Sequence, residues 1–398
     1  MKTKVGVFFG GRSTEHEISV ISANQAMHAF DKEKYQIIPL YISKDGRMYT
    51  GDILFDVSAY RDVPSMLAKS REVFIKPAFG DYNIYENRKT LFGNTTKVFD
   101  TLDVVVPVLH GSNVEDGAFQ GVLQTIGIPY AGCDVLSSAN GMDKITMKMI
   151  LSAQGLPVVD YIWFNDYEWQ KDRTKVIEKI ENTLGYPVIV KPANLGSSVG
   201  ISKASDRDSL IRSVKDAEKY SGRIIVEHLI EDLQEINCSV LGDAESYRTS
   251  VLEEPLKSGE FLSYNDKYLG GNKSSKGMQS ASKRIPAELS DEMTKRLQKL
   301  AGETFRVLGC HGVSRIDLMV DKKNGNIYVN EINTIPGSLS FYLWEATGLT
   351  FTELMDELVS LALKRKRHSE AKTLSFDQNI FAMGAFSSSG KGAKGLKK

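Results

Sequence analysis

The residues whose side chains are best suited to catalysis or metal binding lie within residues 314–337 of the 398-residue chain. This stretch reads as two strands joined by a short turn at 321–326. Because side chains alternate between the two faces of a strand, each strand has one face rich in polar groups. These faces hold Arg315, Asp317 and Met319 in the first strand, and Val329, Glu331 and Asn333 in the second. If the faces match, two carboxylates, an amide oxygen and a guanidinium converge.

A convergent set of this kind suits Mg²⁺. The cation prefers hard oxygen ligands, takes few of them from the protein and borrows phosphate oxygens from a nucleotide. Asp317, Glu331 and Asn333 are therefore the candidate metal ligands, with Arg315 beside them. The alternative interpretation is the polar, solvated face of an ordinary antiparallel pair.

The composition limits the classes of protein to which the chain can belong. Its length predicts two or three domains. Fifty Lys and Arg residues balance 50 Asp and Glu residues, so no overall field favours nucleic acid or an anionic membrane. No apolar run is long enough to cross a bilayer. The first residues read as a strand and not as a signal peptide, and three separated cysteines predict reduced thiols in a cytoplasmic protein.

The amino-terminal part reads as a buried strand, a glycine turn and a helix over residues 4–30, with further buried strands at 35–43 and 101–111. Two polar residues fall at the carboxyl ends of these strands, where ligand sites form in α/β sheets. Glu15 follows the first strand, and His110 ends the third. We predict that both line a substrate site. The alternatives are a helix-dipole charge for Glu15 and a structural role for His110.

The character of the sequence then changes. Residues 137–157 predict one helix that carries Lys144 and Lys148 four residues apart on one face. A buried strand ends at Lys191 and leads into a glycine- and serine-rich loop at 194–200, whose N–H groups suit a phosphate. We predict a flap over the triphosphate of a nucleotide. The alternatives are solvated lysines and an exposed hairpin tip.

Residues 222–242 predict another pair of strands, in which Glu227 and Glu235 are placed to accept hydrogen bonds from a ribose or an adenine amino group. Surface carboxylates are the alternative. A long polar loop follows and includes Lys267 and Tyr268; a loop of that length is usually functional or disordered. Beyond it the sequence predicts helices at 291–309 and 351–366 and a disordered, basic tail.

Taken together, these stretches resemble the D-alanine–D-alanine ligases of the ATP-grasp superfamily, from about residue 3 to about residue 363. The resemblance is carried by GGRSTEHEIS, HGSNVEDGAFQG, MDK, VIVKPANLGSSVG, YNDKYL, SRIDLMV and NEINTIPG. Each motif is weak alone, but their order and spacing are specific. The resemblance implies an α/β and α+β architecture, with a Rossmann-like amino-terminal domain followed by a two-domain ATP-grasp fold. The implied boundaries are 1–137, 138–222 and 223–368, with a basic tail at 369–398.

The resemblance also implies roles in binding ATP and metal. Three lysines would contact the phosphates, and two glutamates would contact the ribose and adenine. The residues assigned to the nucleotide are Lys144, Lys191, Ser197, Glu227, Glu235 and Lys267. Those assigned to two Mg²⁺ or Mn²⁺ ions are Asp317, Glu331 and Asn333.

The substrate site implied by the resemblance lies between the domains. Glu15, Ser197 and Tyr268 would form a hydrogen-bonded trio over it, and Glu15 would face the ammonium group of the first D-alanine. Arg315 and a backbone N–H near Gly337 would stabilise the tetrahedral oxyanion. His110 remains a candidate substrate contact.

The reaction implied by the resemblance converts the carboxylate of one D-alanine into an acyl phosphate with ATP. Mg²⁺ and lysines stabilise the transferring phosphoryl group, and closed loops keep water away from the acyl phosphate. The amine of a second D-alanine then attacks. The products are D-alanyl-D-alanine for peptidoglycan synthesis, ADP and phosphate, and the precedent for assembly is a homodimer.

Two departures from the family pattern matter. After Pro-Gly the family usually has a Ser-His-Ser segment, whose last serine helps to hold the carboxylate of the second substrate. Here the segment at 338–342 is SLSFY, which places Tyr342 at that position, or Ser340 if the loop is shifted. Residues 46–100 and the tail have no counterpart that the resemblance identifies.

Three alternatives remain open. A ligase that joins D-alanine to D-lactate or D-serine is one, although Tyr268 resembles the dipeptide-forming members. An ATP-grasp enzyme for another acid, such as a biotin carboxylase or a carbamoyl-phosphate-type enzyme, is the second, and the motif at residues 10–19 argues against it. The third is a non-enzymatic nucleotide sensor, which would not need Arg315.

Overall fold

Three sheets follow one another along the chain, and helices cover them. The computed structural model of the protein describes residues 1–90, 93–196, 199–256 and 283–376. Within these residues, no helix has the length and apolar character needed to cross a membrane.

The first sheet has seven strands: β1 Thr3–Gly10, β2 Tyr35–Ile42, β3 Met48–Thr50, β4 Arg71–Ile75, β5 Asn83–Thr90, β6 Gly93–Thr101 and β7 Val104–Val108, in the order β6-β5-β4-β3-β2-β1-β7. β1 lies parallel to both β2 and β7, so their carboxyl ends meet at one edge. The helices of this part are α1 His16–Ala29, α2 Val63–Lys69 and α3 Ala118–Ile126, with short 3₁₀ turns at Asp52–Phe55 and Val57–Arg61. The predicted strands at 35–43 and 101–111 are thus confirmed. Within residues 46–100, which have no clear sequence pattern, β3 to β6 form an antiparallel extension of the sheet.

The predicted helix at 137–157 is two helices, α4 Val135–Met142 and α5 Lys144–Ala153. The chain breaks at Asp143, whose carboxylate caps α5 by accepting a hydrogen bond from the N–H of Thr146 at 2.8 Å. The other carboxylate oxygen accepts from Nη1 of Arg223 at 2.8 Å. Local capping outweighs the helical periodicity of the sequence at this point, because an Asp side chain satisfies the first free N–H groups of a helix.

The second sheet has four strands: β8 Tyr161–Asn165, β9 Val188–Pro192, β10 Ser202–Ala204 and β11 Arg223–His228, in the order β10-β9-β11-β8. Its helices are α6 Asp166–Lys171, α7 Arg173–Thr183 and α8 Arg207–Ala217. β9 and β10 are antiparallel and flank the glycine-rich loop, as the sequence predicts.

The third sheet has five strands: β12 Leu233–Gly242, β13 Tyr247–Pro255, β14 Lys283–Arg284, β15 Gly312–Asp321 and β16 Asn326–Asn333, in the order β14-β13-β12-β15-β16. Its helices are α9 Asp291–Val307, α10 Phe341–Thr347 and α11 Phe351–Glu370, with a 3₁₀ turn at Gly337–Ser340. The predicted pairing of the strands within 222–242 is wrong, because β11 pairs with β8 and β9, whereas β12 pairs with β13 and β15. β11 therefore belongs to the second sheet and β12 to the third, and the chain passes from one sheet to the other between them.

Candidate active site

The predicted pairing at the centre of the site is confirmed for its polar residues. β15 and β16 are antiparallel, and Asp317 lies opposite Glu331. Asn333 lies opposite Arg315, and its Nδ2 donates to Oδ2 of Asp317 at 3.2 Å. The guanidinium of Arg315 donates hydrogen bonds from Nε and Nη2 to the carboxylate of Asp317, at 2.6 and 2.8 Å.

The prediction that Val329 shares the face of Glu331 is wrong. The register steps from the pair Asp317–Glu331 to the pair Leu318–Val329, so Asn330 is an extra residue in a β-bulge. A bulge reverses the alternation of side chains on either side of it. Val329 is therefore completely buried in the core with Leu318. Asn330 has no cross-strand partner in the β15–β16 ladder, and its side chain accepts a hydrogen bond from Lys191.

Two lysines of α5 turn inward, which excludes the alternative of solvated side chains. Lys144 is 4% exposed, and its Nζ lies 3.0 Å from Oε2 of Glu331 and donates to the carbonyl of Leu195 at 2.8 Å. Lys148 is completely buried, and its Nζ lies 3.1 Å from Oε1 of Glu227. The four-residue spacing on one helical face thus points both ammonium groups at carboxylates of neighbouring sheets.

Glu227 on β11 is shared between two lysines. Its Oε2 accepts from Nζ of Lys191 at 2.7 Å, and Lys191 also donates to Oδ1 of the bulged Asn330 at 3.1 Å. Burial alone would raise the pKa of Glu227, but the ammonium groups of Lys148 and Lys191 outweigh burial and lower that pKa to about 2. Burial lowers the pKa of Lys148. We call Lys144, Lys148, Lys191, Glu227 and Glu331 the cation cluster.

Glu235 lies at the edge of this region. It is on β12 opposite Met319, two residues from Asn237, which lies opposite Asp317. Alternation along β12 therefore places Glu235 on the face of the third sheet that carries Asp317.

Glu15 occupies the carboxyl edge of the first sheet, as predicted. It stands at the start of α1, and its N–H donates to Oγ of Ser13 at 3.1 Å. A Cβ atom at Gly111 would lie 3.0 Å from Oε2 of Glu15, and one at Gly196 would lie 3.4 Å from it. Glu15 therefore sits between the loop after β7 and the glycine-rich loop after β9.

His110 is buried, and both of its ring nitrogens are engaged inside the protein. Nδ1 lies 2.8 Å from the carbonyl of Ile335, and Nε2 lies 2.9 Å from Oγ of Ser22. A carbonyl only accepts, so Nδ1 carries the proton, and the Ser22 hydroxyl donates to Nε2. Oγ of Ser22 in turn accepts from the N–H of Ser338 at 2.9 Å. Burial lowers the pKa of His110 to about 4, which keeps the ring neutral.

Glu115 binds the segment at Ile335 from the other side. The sequence assigns no role to Glu115. Its Oε1 accepts from the N–H of Ile335 at 2.9 Å, and its Oε2 accepts from the N–H of Gly111 at 3.1 Å. Burial, aided by the charge of Glu15, raises the pKa of Glu115 to about 8. Its place in HGSNVEDG was the only available signal. We call Ser22, His110, Glu115, Ile335 and Ser338 the loop brace.

The segment after Gly337 departs from ordinary backbone geometry. Ser338, Leu339 and Ser340 have φ values of 51°, 52° and 51°, in the left-handed region. Ser340 is completely buried, and its hydroxyl finds no hydrogen-bond partner in the described part of the chain. Tyr342 follows at the start of α10, and its hydroxyl donates to Oε2 of Glu253 at 2.9 Å.

Three predicted residues, Ser197, Lys267 and Tyr268, lie outside the described residues, so the predicted trio and flap stay predictions. Among the other predicted residues, direct contacts join Lys144 to Glu331 and Lys191 to Glu227, and join Arg315 and Asn333 to Asp317. The sequence gives no role to Lys148, Glu115, Asn330 or Glu253, because each owes its place to packing between elements distant in sequence.

Comparisons with known proteins agree over most of the chain. The family model described as D-ala D-ala ligase N-terminus matches residues 4–133, and the model described as D-ala D-ala ligase C-terminus matches residues 150–360. The chain is 42% identical over 381 residues to a D-alanine--D-alanine ligase of Caldicellulosiruptor bescii, covering 93% of this chain and 98% of that protein. It is 38% identical over 376 residues to one of Thermosipho melanesiensis, covering 94% and 97%.

Solved structures agree with the sequence comparisons. The D-alanine-D-alanine ligase of Coxiella burnetii is similar with a TM-score of 0.73 and 31% identity, over 93% of this chain and 96% of that one. The VanG D-Ala:D-Ser ligase of Enterococcus faecalis is similar with a TM-score of 0.74 and 30% identity, over 91% and 100%.

Proposed function

The chain belongs to the D-alanine–D-alanine ligase family, and from this premise we propose which residues carry each part of the reaction. The enzyme is an ATP-dependent ligase with an ATP-grasp fold that joins two D-alanine molecules for peptidoglycan synthesis. The family proceeds through an acyl phosphate of the first D-alanine. The observation that carries the assignment of residues is the cross-strand pair of Asp317 and Glu331, with Lys144 bound to Glu331.

The donor set fits the metal that the family implies. Two adjacent carboxylates and the amide of Asn333 offer hard oxygen ligands, and a nucleotide would supply the rest. Asp317, Glu331 and Asn333 would hold two Mg²⁺ or Mn²⁺ ions. Bound there, the ions supply charge stabilisation to the transferring phosphoryl group.

The cation cluster supports a phosphate site beside these ligands. Lys144 and Lys191 are anchored by carboxylates, so their ammonium groups are held in place before ATP binds. Preorganised cations stabilise developing charge without reorganisation during the reaction. Lys267 is proposed as a third phosphate contact. Glu227 and Glu235 are proposed for the adenine and ribose.

The first D-alanine is proposed to bind near Glu15, whose carboxylate would pair with the substrate ammonium. The trio of Glu15, Ser197 and Tyr268 would close the site and exclude water. Arg315 would stabilise the tetrahedral oxyanion, because Asp317 engages two of its five N–H donors and leaves others for the substrate. A backbone N–H near Gly337 would assist. His110 would act through the loop brace, since its ring nitrogens bind Ile335 and Ser22.

The second substrate is proposed to be D-alanine, with D-serine or D-lactate as the alternative acceptor. The similarity to a D-Ala:D-Ser ligase supports D-serine as an alternative acceptor. Tyr342 is proposed to take the serine position of the family and to shape the acceptor site, with Ser340 as the alternative if the loop is shifted.

Three further features are proposals. The family precedent supports a homodimer. The buried free cysteines Cys133, Cys238 and Cys310 support a cytoplasmic location. The division into 1–137, 138–222 and 223–368 is proposed from the three successive sheets. The last boundary falls one strand early, because β11 at Arg223–His228 still belongs to the second sheet.

The decisive experiment is phosphate release from Mg-ATP in the presence of a panel of D-amino acids and D-lactate, with the product identified by mass spectrometry. D-Alanine alone should support release and yield D-alanyl-D-alanine. Phosphate release without any ligated product, or release that depends on an unrelated acid, would contradict the proposed function.

A further inference from the structure

A row of polar side chains crosses the third sheet, starting at the candidate metal site. Glu331, Asp317, Asn237 and Glu253 are consecutive cross-strand partners on β16, β15, β12 and β13. Directly opposed residues of an antiparallel pair lie on the same face. One face of the sheet thus leads away from the metal site towards the edge strand β14.

Lys283 ends this row. It lies on β14 opposite Pro255, which is two residues from Glu253 and therefore on the same face of β13. Its Nζ stands 3.4 Å from the ring centre of Tyr342 and 3.8 Å from Oε1 of Glu253. The neighbouring Arg284 points to the opposite face, where it pairs with Glu254 at 2.9 Å.

The ammonium of Lys283 lacks a close hydrogen-bond acceptor among the described residues. At 3.8 Å its contact with Glu253 is longer than a hydrogen bond. Oε2 of Glu253 is already engaged by the hydroxyl of Tyr342 and by Nδ2 of Asn237, at 2.9 and 3.2 Å. Among the described residues, no hydrogen-bond acceptor lies within reach of Nζ of Lys283. The side chain is 27% exposed, so a ligand can approach it.

The polar groups of Tyr342 and Arg315, which lie nearby, already have partners or a proposed role. The hydroxyl of Tyr342 donates to Glu253 and has no second proton to give. Asp317 engages two of the five N–H donors of Arg315, and the others are proposed to bind the oxyanion. An acceptor amino acid that attacks beside Arg315 carries a carboxylate on its far side, and this carboxylate needs a cation.

We propose that Lys283 binds the carboxylate of the acceptor D-amino acid and thereby selects an α-carboxylate at the second substrate site. This inference rests on the proposed function, since it assumes an amino acid as the acceptor. Tyr342 supports the site by presenting its ring beneath the ammonium, an arrangement that holds a cation over an aromatic face. Glu253 and Asn237 fix the tyrosine.

The test uses an acceptor that lacks the carboxylate. D-Alaninamide cannot be activated as the first substrate, so in a mixture with D-alanine it competes only as the acceptor. The full-length wild-type enzyme should strongly prefer D-alanine, measured as the ratio of D-alanyl-D-alanine to D-alanyl-D-alaninamide by mass spectrometry. Lys283→Met should lower this ratio by about tenfold or more, since a charge-assisted hydrogen bond is lost.

Two variants separate binding from structure. Lys283→Arg should restore most of the preference, because it keeps the charge. Arg284→Met removes a cation from the same strand but from the other face, and should leave the ratio within about twofold, a change too small for loss of a charge-assisted bond. The Michaelis constant for ATP should stay unchanged in Lys283→Met. Lys283→Gln keeps the length of the side chain and serves if Lys283→Met folds poorly.

Failure of this inference differs from failure of the proposed function. If the wild type makes the dipeptide and Lys283→Met or Lys283→Gln, folded by circular dichroism, keeps the full preference for D-alanine, Lys283 does not bind the carboxylate. If the wild type makes no dipeptide at all, the proposed function itself is wrong. A preference lost equally in Arg284→Met would overturn the specific role of Lys283.

Discussion

The cation cluster and the loop brace both border the site, but opposite kinds of interaction hold them. In the cation cluster, lysines bind glutamates, and the pKa of Glu227 falls to about 2. In the loop brace, burial lowers the pKa of His110 to about 4 and raises that of Glu115 to about 8, so both are mainly neutral at pH 7. The enzyme thus concentrates charge where phosphates and metal would bind.

The neutral brace has a physical reason. It holds the backbone of the Pro-Gly loop next to the carboxylates of the proposed metal site. A further fixed charge at that place would alter the field that acts on the metal ions and on the acyl phosphate. Neutral hydrogen bonds position the loop without that cost. Substitutions in either group should perturb one side of this contrast, and the largest effect is expected in the cation cluster.

The largest effect is expected from Glu331→Gln in the cation cluster. The change removes a ligand charge from the proposed metal site and the partner of Lys144. Because metal ions supply several kcal/mol of transition-state stabilisation, turnover should fall roughly a thousandfold. Steady-state phosphate release with D-alanine measures this, and the circular dichroism spectrum should not change. The control is Glu345→Gln on the exposed side of α10. Near-normal Mg-dependent turnover would refute the metal assignment.

The second prediction concerns Lys148, which is completely buried. Lys148→Met leaves Glu227 with one lysine, and removal of one partner of a buried ion pair should destabilise the protein by about 3 kcal/mol. Urea unfolding measures the loss. The exposed Lys179→Met should cost less than about 0.5 kcal/mol.

A double variant sharpens this prediction. Lys148→Met combined with Glu227→Gln removes both partners of one ion pair, so the double variant should lose less stability than the sum of the two single changes. A double variant that is less stable than the sum of the two single changes would show that the ion pair is not the reason for the loss. The Michaelis constant for ATP should rise in the single variant, because Glu227 and Lys191 lose a fixed neighbour.

The contrast also explains what the sequence could and could not predict. Asp317 and Glu331 were predictable because period-two alternation and a short turn fix which residues face one another. The bulge at Asn330 was not predictable, since nothing in NIYVNEIN marks an extra residue, and it moved Val329 to the core. The lysines of α5 were predictable as a pair on one face, but not as buried, because their partners lie on β11 and β16.

The brace was hidden for a related reason. Glu115 and Ser22 act on residues more than 200 positions away, and a sequence pattern carries no information on contacts of that kind without homologous sequences. His110 lies two residues beyond the end of β7, close to the predicted strand end. Its engagement by Ser22 and Ile335 depends on how the third sheet packs against the first.

The third prediction tests the neutral state of Glu115. Its folded pKa of about 8 exceeds the unfolded value of about 4.3, so the folded protein binds more protons between these values. The stability it contributes is present below pH 4.3 and is lost as pH rises through 8. The free energy of unfolding of the wild type relative to Glu115→Gln should therefore fall by about 2.5 kcal/mol from pH 6 to pH 9.

Glu115→Gln is informative because it cannot titrate. Denaturant unfolding of both proteins at several pH values gives the difference directly, and the contribution of other groups cancels. A difference that stays constant across this range would mean that Glu115 is already ionised at pH 6. A difference that grows with pH would mean that ionisation of Glu115 stabilises the loop brace, which would contradict a neutral brace.

The smallest effect is expected from Ser22→Ala, which removes a hydroxyl that serves two partners. The hydroxyl donates to Nε2 of His110, and its oxygen accepts from the N–H of Ser338. Loss of these bonds should cost about 1–2 kcal/mol. The matched control is Ser138→Ala. Ser138 is equally buried, but its hydroxyl has no hydrogen-bond partner in the described part of the chain, so its removal should be close to neutral.

Ser22→Ala should also affect activity, because Ser338 begins the left-handed segment that continues to Ser340. Non-glycine residues in this region cost of order 1 kcal/mol each and persist only where surrounding contacts hold them. When the contact from Ser22 is lost, the segment should relax, and kcat/KM for D-alanine should fall by about threefold to tenfold, the equivalent of about 0.7–1.4 kcal/mol. Equal stability and equal kcat/KM in Ser22→Ala and Ser138→Ala would show that neutral hydrogen bonds do not hold the loop. The positioning of the Pro-Gly loop would then have to come from apolar packing around Leu339, which is 2% exposed.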